Sequence, residues 1–283
     1  MSRLGDFSPL SINAAGDMVG GRYFWHNGKL TDLGTLGVLS GTYAQDINDL
    51  GQVVGYSYLS NAYPSYVAHA FFWQNGVIKD LGTLPGYTNS TATSINTNGQ
   101  VVGYAYNGSC CGSPFEPRAF LFTVDATGTV TSRTDLGLLA TNSPKIKINN
   151  RGQIIGVNDG GRAFLWDNIH GARDLTTLLG PDFPDTLTDV SGINDRGQVV
   201  ASWYLLTPVP SIRLSFPSIQ PGGQFRFVLL GEPGRSYAIQ GSTNLVNWIA
   251  LTNFISTTGT DQFTDAAAAS FNRRFYRAIT SAQ

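Results

Sequence analysis

Short apolar runs alternate with Gly- and Asn-rich breaks along most of this chain. In residues 42–84 the runs are Ala44–Asn48, Gln52–Tyr56, His69–Gln74 and Val77–Thr83. Each is rich in Val, Ile, Phe, Tyr or Trp and too short for a helix, so each reads as a β-strand. Asn75-Gly76 between the last two runs, and Asn27-Gly28 at the matching place upstream, are strong two-residue hairpin signals. The first two runs are joined by Asn-x-x-Gly, where glycine takes positive φ without steric cost.

The pattern recurs. Ile-Asn-x-x-Gly-(Gln/Asp) followed by apolar residues starts at Ile12, Ile47, Ile95, Ile148 and Ile193, at intervals of 35, 48, 53 and 45 residues. An aromatic run follows each of the first four copies, at Tyr23–Trp25, Ala70–Trp73, Ala119–Phe122 and Ala163–Trp166. An Asp-Leu pair closes each of these units, at Asp32, Asp80, Asp135 and Asp174. Four antiparallel strands per unit of this length match a propeller blade. The fold expected is all-β: a five-bladed β-propeller over residues 1–207 and a small β-sandwich over 208–283. The fifth unit lacks a fourth strand. The fragment Arg3-Leu4-Gly5-Asp6-Phe7 resembles the strand that ends other blades and is expected to pair there and close the ring, which would remove exposed sheet edges.

Counting back across the Asn75-Gly76 turn pairs Gln74 with Val77 and Phe71 with Asp80. That places His69 diagonally across from Asp80 on one face, and Arg118 and Arg162 occupy the position of His69 in later units. A recurring structural His/Arg–Asp pair is expected there.

Three of the recurring motifs carry a family resemblance: His69-Ala70-Phe71, Asp80-Leu81-Gly82-Thr83-Leu84 and the Ile-Asn…Gly-Gln-Val-Val-Gly runs. They resemble the bacterial HAF-repeat family of extracellular proteins, over roughly residues 1–208. The resemblance implies a secreted or cell-surface propeller. Residues 237–248 and 274–278 resemble a C-terminal module of secreted bacterial proteins, in which Trp248 and Tyr276 read as core. The first residues do not read as a signal peptide, so an extracellular location would require a leader outside this sequence. The only cysteines are Cys110 and Cys111. Export, as the resemblance implies, would favour a strained disulfide between them; in a reducing compartment they would be two free thiols.

Composition narrows the function. Charged residues make up 13% of the 283, and the net charge is −1, without the basic patch a nucleic-acid partner needs. No apolar stretch is long enough to span a membrane. The cysteines and the three histidines lack metal-ligand spacing, and no cofactor fingerprint is visible. The repeated Asn-x-x-Gly and Asn-Gly turns fall on one face of such blades. The loops that vary in length, namely the second turns and the blade-to-blade connections, fall on the other, which becomes the candidate functional face.

Candidate ligand-binding residues on that variable face are Tyr56, Tyr58, Tyr66, Tyr104, Tyr106, Asn107, Phe115, Glu116, Arg118, Asp159 and Asp185. Tyrosine offers a flat apolar ring with one polar tip, suited to stacking on a sugar. The expected function is extracellular binding or adhesion, with a glycan or other surface ligand as partner. One alternative is a glycoside hydrolase using two loop carboxylates ~5–9.5 Å apart, drawn from Glu116, Asp159, Asp182, Asp185 and Asp189. Another is a structural or protein-interaction module.

Overall fold

The computed structural model describes residues 7–37, 41–60, 67–107, 116–139, 145–179, 183–208, 212–231 and 233–280. The expected closing fragment, all but Phe7, lies outside them, as do Tyr66, Phe115, Cys110 and Cys111. The chain divides into two compact units, 1–207 and 208–283. Among the described residues the regular structure is β-strand, apart from two single-turn 3-10 helices.

The first unit holds five antiparallel meanders. The first comprises β1 (Ser11–Ile12), β2 (Met18–Gly20), β3 (Tyr23–His26) and β4 (Lys29–Asp32). The second comprises β5 (Thr42–Ile47), β6 (Val53–Ser60), β7 (Val67–Gln74) and β8 (Val77–Gly82). The third comprises β9 (Asn89–Ile95), β10 (Gln100–Tyr106), β11 (Arg118–Val124) and β12 (Val130–Leu138). The fourth comprises β13 (Ile146–Ile148), β14 (Ile154–Val157), β15 (Ala163–Asp167) and β16 (Gly171–Asp174). The fifth has three strands, β17 (Val190–Ile193), β18 (Val199–Ala201) and β19 (Tyr204–Leu206).

The motif positions explain the packing. Alternation along a strand sends successive side chains to opposite faces, so the two apolar residues after Gly-Gln serve different neighbours. Val53 packs with the first sheet's Val19, whereas Val54 joins Val101 and Phe122 of the third sheet. Val102 joins Ile154 of the fourth sheet, and Ile155 joins Val199 of the fifth. Four cores thus join successive sheets.

The outer faces of the fifth and first sheets differ. Ile47, Ile95 and Ile148 are 5–7% exposed, but their counterpart Ile12 is 64% exposed. Val19, Val54, Val102 and Ile155 are fully buried, whereas Val200 is 42% exposed.

The last motif position is glycine because both neighbouring strands press on it. A Cβ on Gly103 would stand 2.0 Å from the Thr91 carbonyl oxygen and 2.6 Å from the Phe120 ring; on Gly55 it would stand 2.0 Å from the Tyr43 carbonyl oxygen and 2.9 Å from Phe71. A register shift beside each, at Gln45 and Thr93, lets the neighbouring strand come this close.

In the second unit, β20 (Arg213–Ile219), β21 (Phe225–Leu230) and β24 (Thr260–Asp265) form one antiparallel sheet. A second is formed by β22 (Ser236–Ser242), β23 (Ile249–Ile255) and β25 (Phe275–Thr280). They share one core built on Phe227, Leu229, Tyr237 and Ile239, against which Tyr276 packs. Trp248, read as core from the sequence, instead lies beneath the Arg277 guanidinium, 4.3 Å from the ring centre. Its indole N–H donates to the Leu245 carbonyl. The Asn244 side chain folds the 244–247 turn by accepting two backbone N–H bonds, and this holds Trp248 away from the core.

Candidate functional site

Two places gather functional-looking side chains, one at each end of the strands. The first is formed by the five Asn-x-x-Gly turns. They line a cavity of about 270 Å³ edged by Ile12-Asn13-Ala14, Ile47-Asn48-Asp49, Ile95-Asn96-Thr97, Ile148-Asn149-Asn150 and Ile193-Asn194-Asp195.

The motif's asparagine makes the turn and links it to the next. Asn96 Oδ1 accepts the N–H groups of Asn98 and Gln100, both at 3.0 Å. Its Nδ2 donates to Gln100 Oε1 at 2.7 Å and to the Asn149 carbonyl of the following turn at 3.0 Å. The same inter-turn bond runs from Asn13 to Asn48, from Asn48 to Asn96 and from Asn149 to Asn194. A second ladder runs beside it: Ala14 N–H donates to Asp49, Thr97 N–H to Asn150, and Asn150 N–H to Asp195. These amides and carboxylates are therefore committed to one another, and the turns act as staples between sheets.

The second place is at the other end of the strands, roughly 10 to 17 Å away by strand rise. Tyr43 and Tyr56 are cross-strand partners, and their rings stack at 5.0 Å with 20° between planes. Tyr58 meets both edge-on, at 6.4 and 5.9 Å. On the third sheet Tyr104 and Tyr106 lie 5.9 Å apart. The two groups adjoin. Burial first, then the neighbouring Tyr58, Tyr43 and Tyr104 hydroxyls, push Tyr56 up to about 12. Burial, then Tyr104, Tyr58 and Tyr56, do the same to Tyr106. Tyr43 is the most open, 43% exposed.

The structure thus brings together Tyr56, Tyr58, Tyr104 and Tyr106 of the residues singled out by sequence, and adds Tyr43. The others have local roles. Asn107 clamps the 85–91 connection, donating to the Gly86 carbonyl and accepting from Thr88 N–H, both at 2.9 Å. Arg118 pairs with Asp135 at 2.7 Å. Asp185 accepts a bond from the Tyr204 hydroxyl. Glu116 and Asp159 are exposed, and Asp189 is paired with Lys145 at 2.8 Å. Among the described residues no cluster of His, Cys, Asp or Glu could hold a metal ion.

Residues 35–211 match the model of a family described as "Protein of unknown function (DUF3466)". This chain belongs to that family. The match spans the second to fifth sheets, including both the tyrosine cluster and four of the five Asn turns. No curated protein matches the chain.

The expected His/Arg–Asp pair is present, in the register counted from the Asn75-Gly76 turn: Gln74 opposite Val77 and Phe71 opposite Asp80. It recurs as His69–Asp80 at 2.9 Å, Arg118–Asp135 and Arg162–Asp174, and also as Arg22–Asp32, which the sequence pattern had not singled out. Each aspartate also accepts the N–H two residues on, from Gly34, Gly82, Gly137 or Thr176, and so holds the bend after the strand.

For Asp80, burial pushes the carboxyl up, but bonds from His69 and the Gly82 N–H outweigh it and leave the pKa lowered. Asp32 and Asp174 behave alike, with Arg22 and Arg162 as partners. A lowered folded pKa gives stability that is present above the unfolded value of about 4 and lost as pH falls through the folded value. Thermal melts between neutral and acid pH should therefore show the midpoint falling below about pH 4. Asp80→Asn should lower stability at neutral pH and make that acid slope shallower; an unchanged slope would count against the pair.

Proposed function

We propose that this chain is a non-enzymatic, extracellular binding or adhesion module that recognises a glycan through the tyrosine surface of its second and third sheets. One observation carries the reading: Tyr43, Tyr56 and Tyr58 of the second sheet form one ring cluster, near the Tyr104–Tyr106 pair of the third, with Tyr43 open to solvent. Rings fixed on strands lose little entropy on binding, and their hydroxyls supply hydrogen bonds at the rim. The carboxylates displaced from their ordinary range among the described residues, Asp32, Asp80, Asp125, Asp167 and Asp174, are displaced downward. A glycosidase acid needs the opposite direction, so none of these five suits that role. The extracellular assignment rests on the HAF-repeat resemblance.

The same reading takes the five sheets as blades of one propeller that closes between its fifth and first members. Support comes from the shared cavity; Ile12 and Leu30 of the first sheet and Val200 and Leu205 of the fifth are exposed in the structure. Closure would bury this apolar surface at about 25 cal/mol per Å².

The test is a glycan array and a cell-wall pull-down with the full chain and with a Tyr43→Ala/Tyr56→Ala variant. Retention of the parent and loss by the variant are expected. Absence of retention for the parent would overturn the proposal.

A further inference from the structure

We propose that the ligand of the tyrosine surface is uncharged, a neutral glycan rather than a uronic or sulfated one. This rests on the tyrosine surface being the binding site, and it follows from which charges are missing around that surface.

The cluster's tyrosines lie in sequence stretches 33–45, 50–68 and 81–115. None contains Asp, Glu, Lys, Arg or His, although nearly one residue in seven of the chain is charged. Of the ionisable groups that bound these segments, Glu116 is exposed and anionic, so it would repel an anionic ligand, and the cations are engaged. His69 is held by Asp80, and Arg118 by Asp135. Asp46 accepts bonds from the hydroxyls of Ser11 and Ser94 and from the Ile95 N–H.

A carboxylate or sulfate leaving water for this surface would need a cationic donor to offset its desolvation. Among the described residues of these stretches the groups at hand are phenol rings, phenol hydroxyls and neutral side chains. A neutral pyranose fits them: its C–H face lies on a ring, and its hydroxyls exchange hydrogen bonds with phenols that remain protonated. In the stacked Tyr43–Tyr56 pair with Tyr58 edge-on, Tyr43 is the exposed ring.

The experiment is calorimetric titration of the full chain with neutral gluco-, manno- and xylo-oligosaccharides, and separately with polygalacturonate and heparin, at low and high salt. At least one neutral oligosaccharide should bind, with affinity constant within about twofold as salt rises, because no ion pair is there to be screened. Tyr43→Ala should weaken it about tenfold or more, as loss of an aromatic anchor does, and Tyr43→Phe should retain most of it. Tyr43 is solvent-open, and an unchanged melting temperature will show that the variants fold.

Binding confined to the polyanions, weakened by salt and by Tyr43→Ala, would overturn the neutral assignment and leave the tyrosine site standing. Neutral binding indifferent to both Tyr43→Ala and Tyr56→Ala would overturn the site itself. No binding to any of these probes would overturn both.

Discussion

Gly103→Ala should destabilise the first unit by about 3 kcal/mol or more, measured by urea or thermal unfolding. The new methyl would fall 2.0 Å from the Thr91 carbonyl oxygen, 2.8 Å from Ala92 Cα and 2.6 Å from the Phe120 ring. Two of these are backbone atoms and the ring is fully buried, so nothing nearby can yield cheaply. Gly51→Ala is the matched control: its Cβ would meet nothing within 4 Å, and only its φ of +70° is unfavourable. That change should cost about 1 kcal/mol. Similar losses for the two variants would mean that the strand approach at Thr91 is looser than described. The fifth sheet fits the argument. It carries Ala201 at this motif position, opposite Tyr204 where the second to fourth sheets present Phe71, Phe120 and Phe164.

Asn96→Ala should cost about 2–4 kcal/mol, because a buried side chain making four hydrogen bonds is removed. It would leave the N–H groups of Asn98 and Gln100 without their acceptor and the third turn detached from the fourth. Asn98→Ala, an exposed neighbour with one inter-turn bond, should cost less than about 1 kcal/mol. Equal losses would contradict the stapling role. The same series tests ring closure. Asn194 bonds within its own turn, to Gln198 and the N–H of Arg196. A closed seam would set its Nδ2 on the Asn13 carbonyl, and Asn194→Ala would then cost nearly as much as Asn96→Ala. A loss near that of Asn98→Ala would leave the seam open.

What the sequence revealed about the fold was local. The Asn75-Gly76 turn has an unbroken register back to Phe71, so counting residues was enough to place Asp80 against His69. The Asp-Leu-Gly bend and the Asn-x-x-Gly turn were likewise visible, because each is built from neighbours in the chain. Tyr43 was missed because the shift at Gln45 moves it one place along β6, from Ser57 to Tyr56. No feature of the residues near Gln45 announces that bulge. Convergence of the five turns on one cavity was missed for a related reason. Spacings of 35 to 53 residues give the size of each unit, but say nothing of how one sheet leans on the next. Equally, the adjacency of Tyr56 and Tyr104 depends on packing between sheets, which neither alternation nor turn chemistry encodes. Conversely, Asp159 and Asp185 looked free in sequence because their residue type is polar and mobile; Asp185 accepts from the Tyr204 hydroxyl and Asp159 caps its own turn by accepting the Gly160 N–H, while Arg118, read both as a ligand contact and as half of the recurring pair, is in the pair.

The most direct test of the account is a ligand titration followed by NMR on protein labelled only in its tyrosine rings, using a neutral oligosaccharide retained on the array. Ring signals of Tyr43, Tyr56, Tyr58, Tyr104 and Tyr106 should shift together and saturate, while those of Tyr23, Tyr204, Tyr237 and Tyr276 stay in place. Shifts confined to the latter group, or binding that leaves the five rings unmoved, would contradict the assignment of the site.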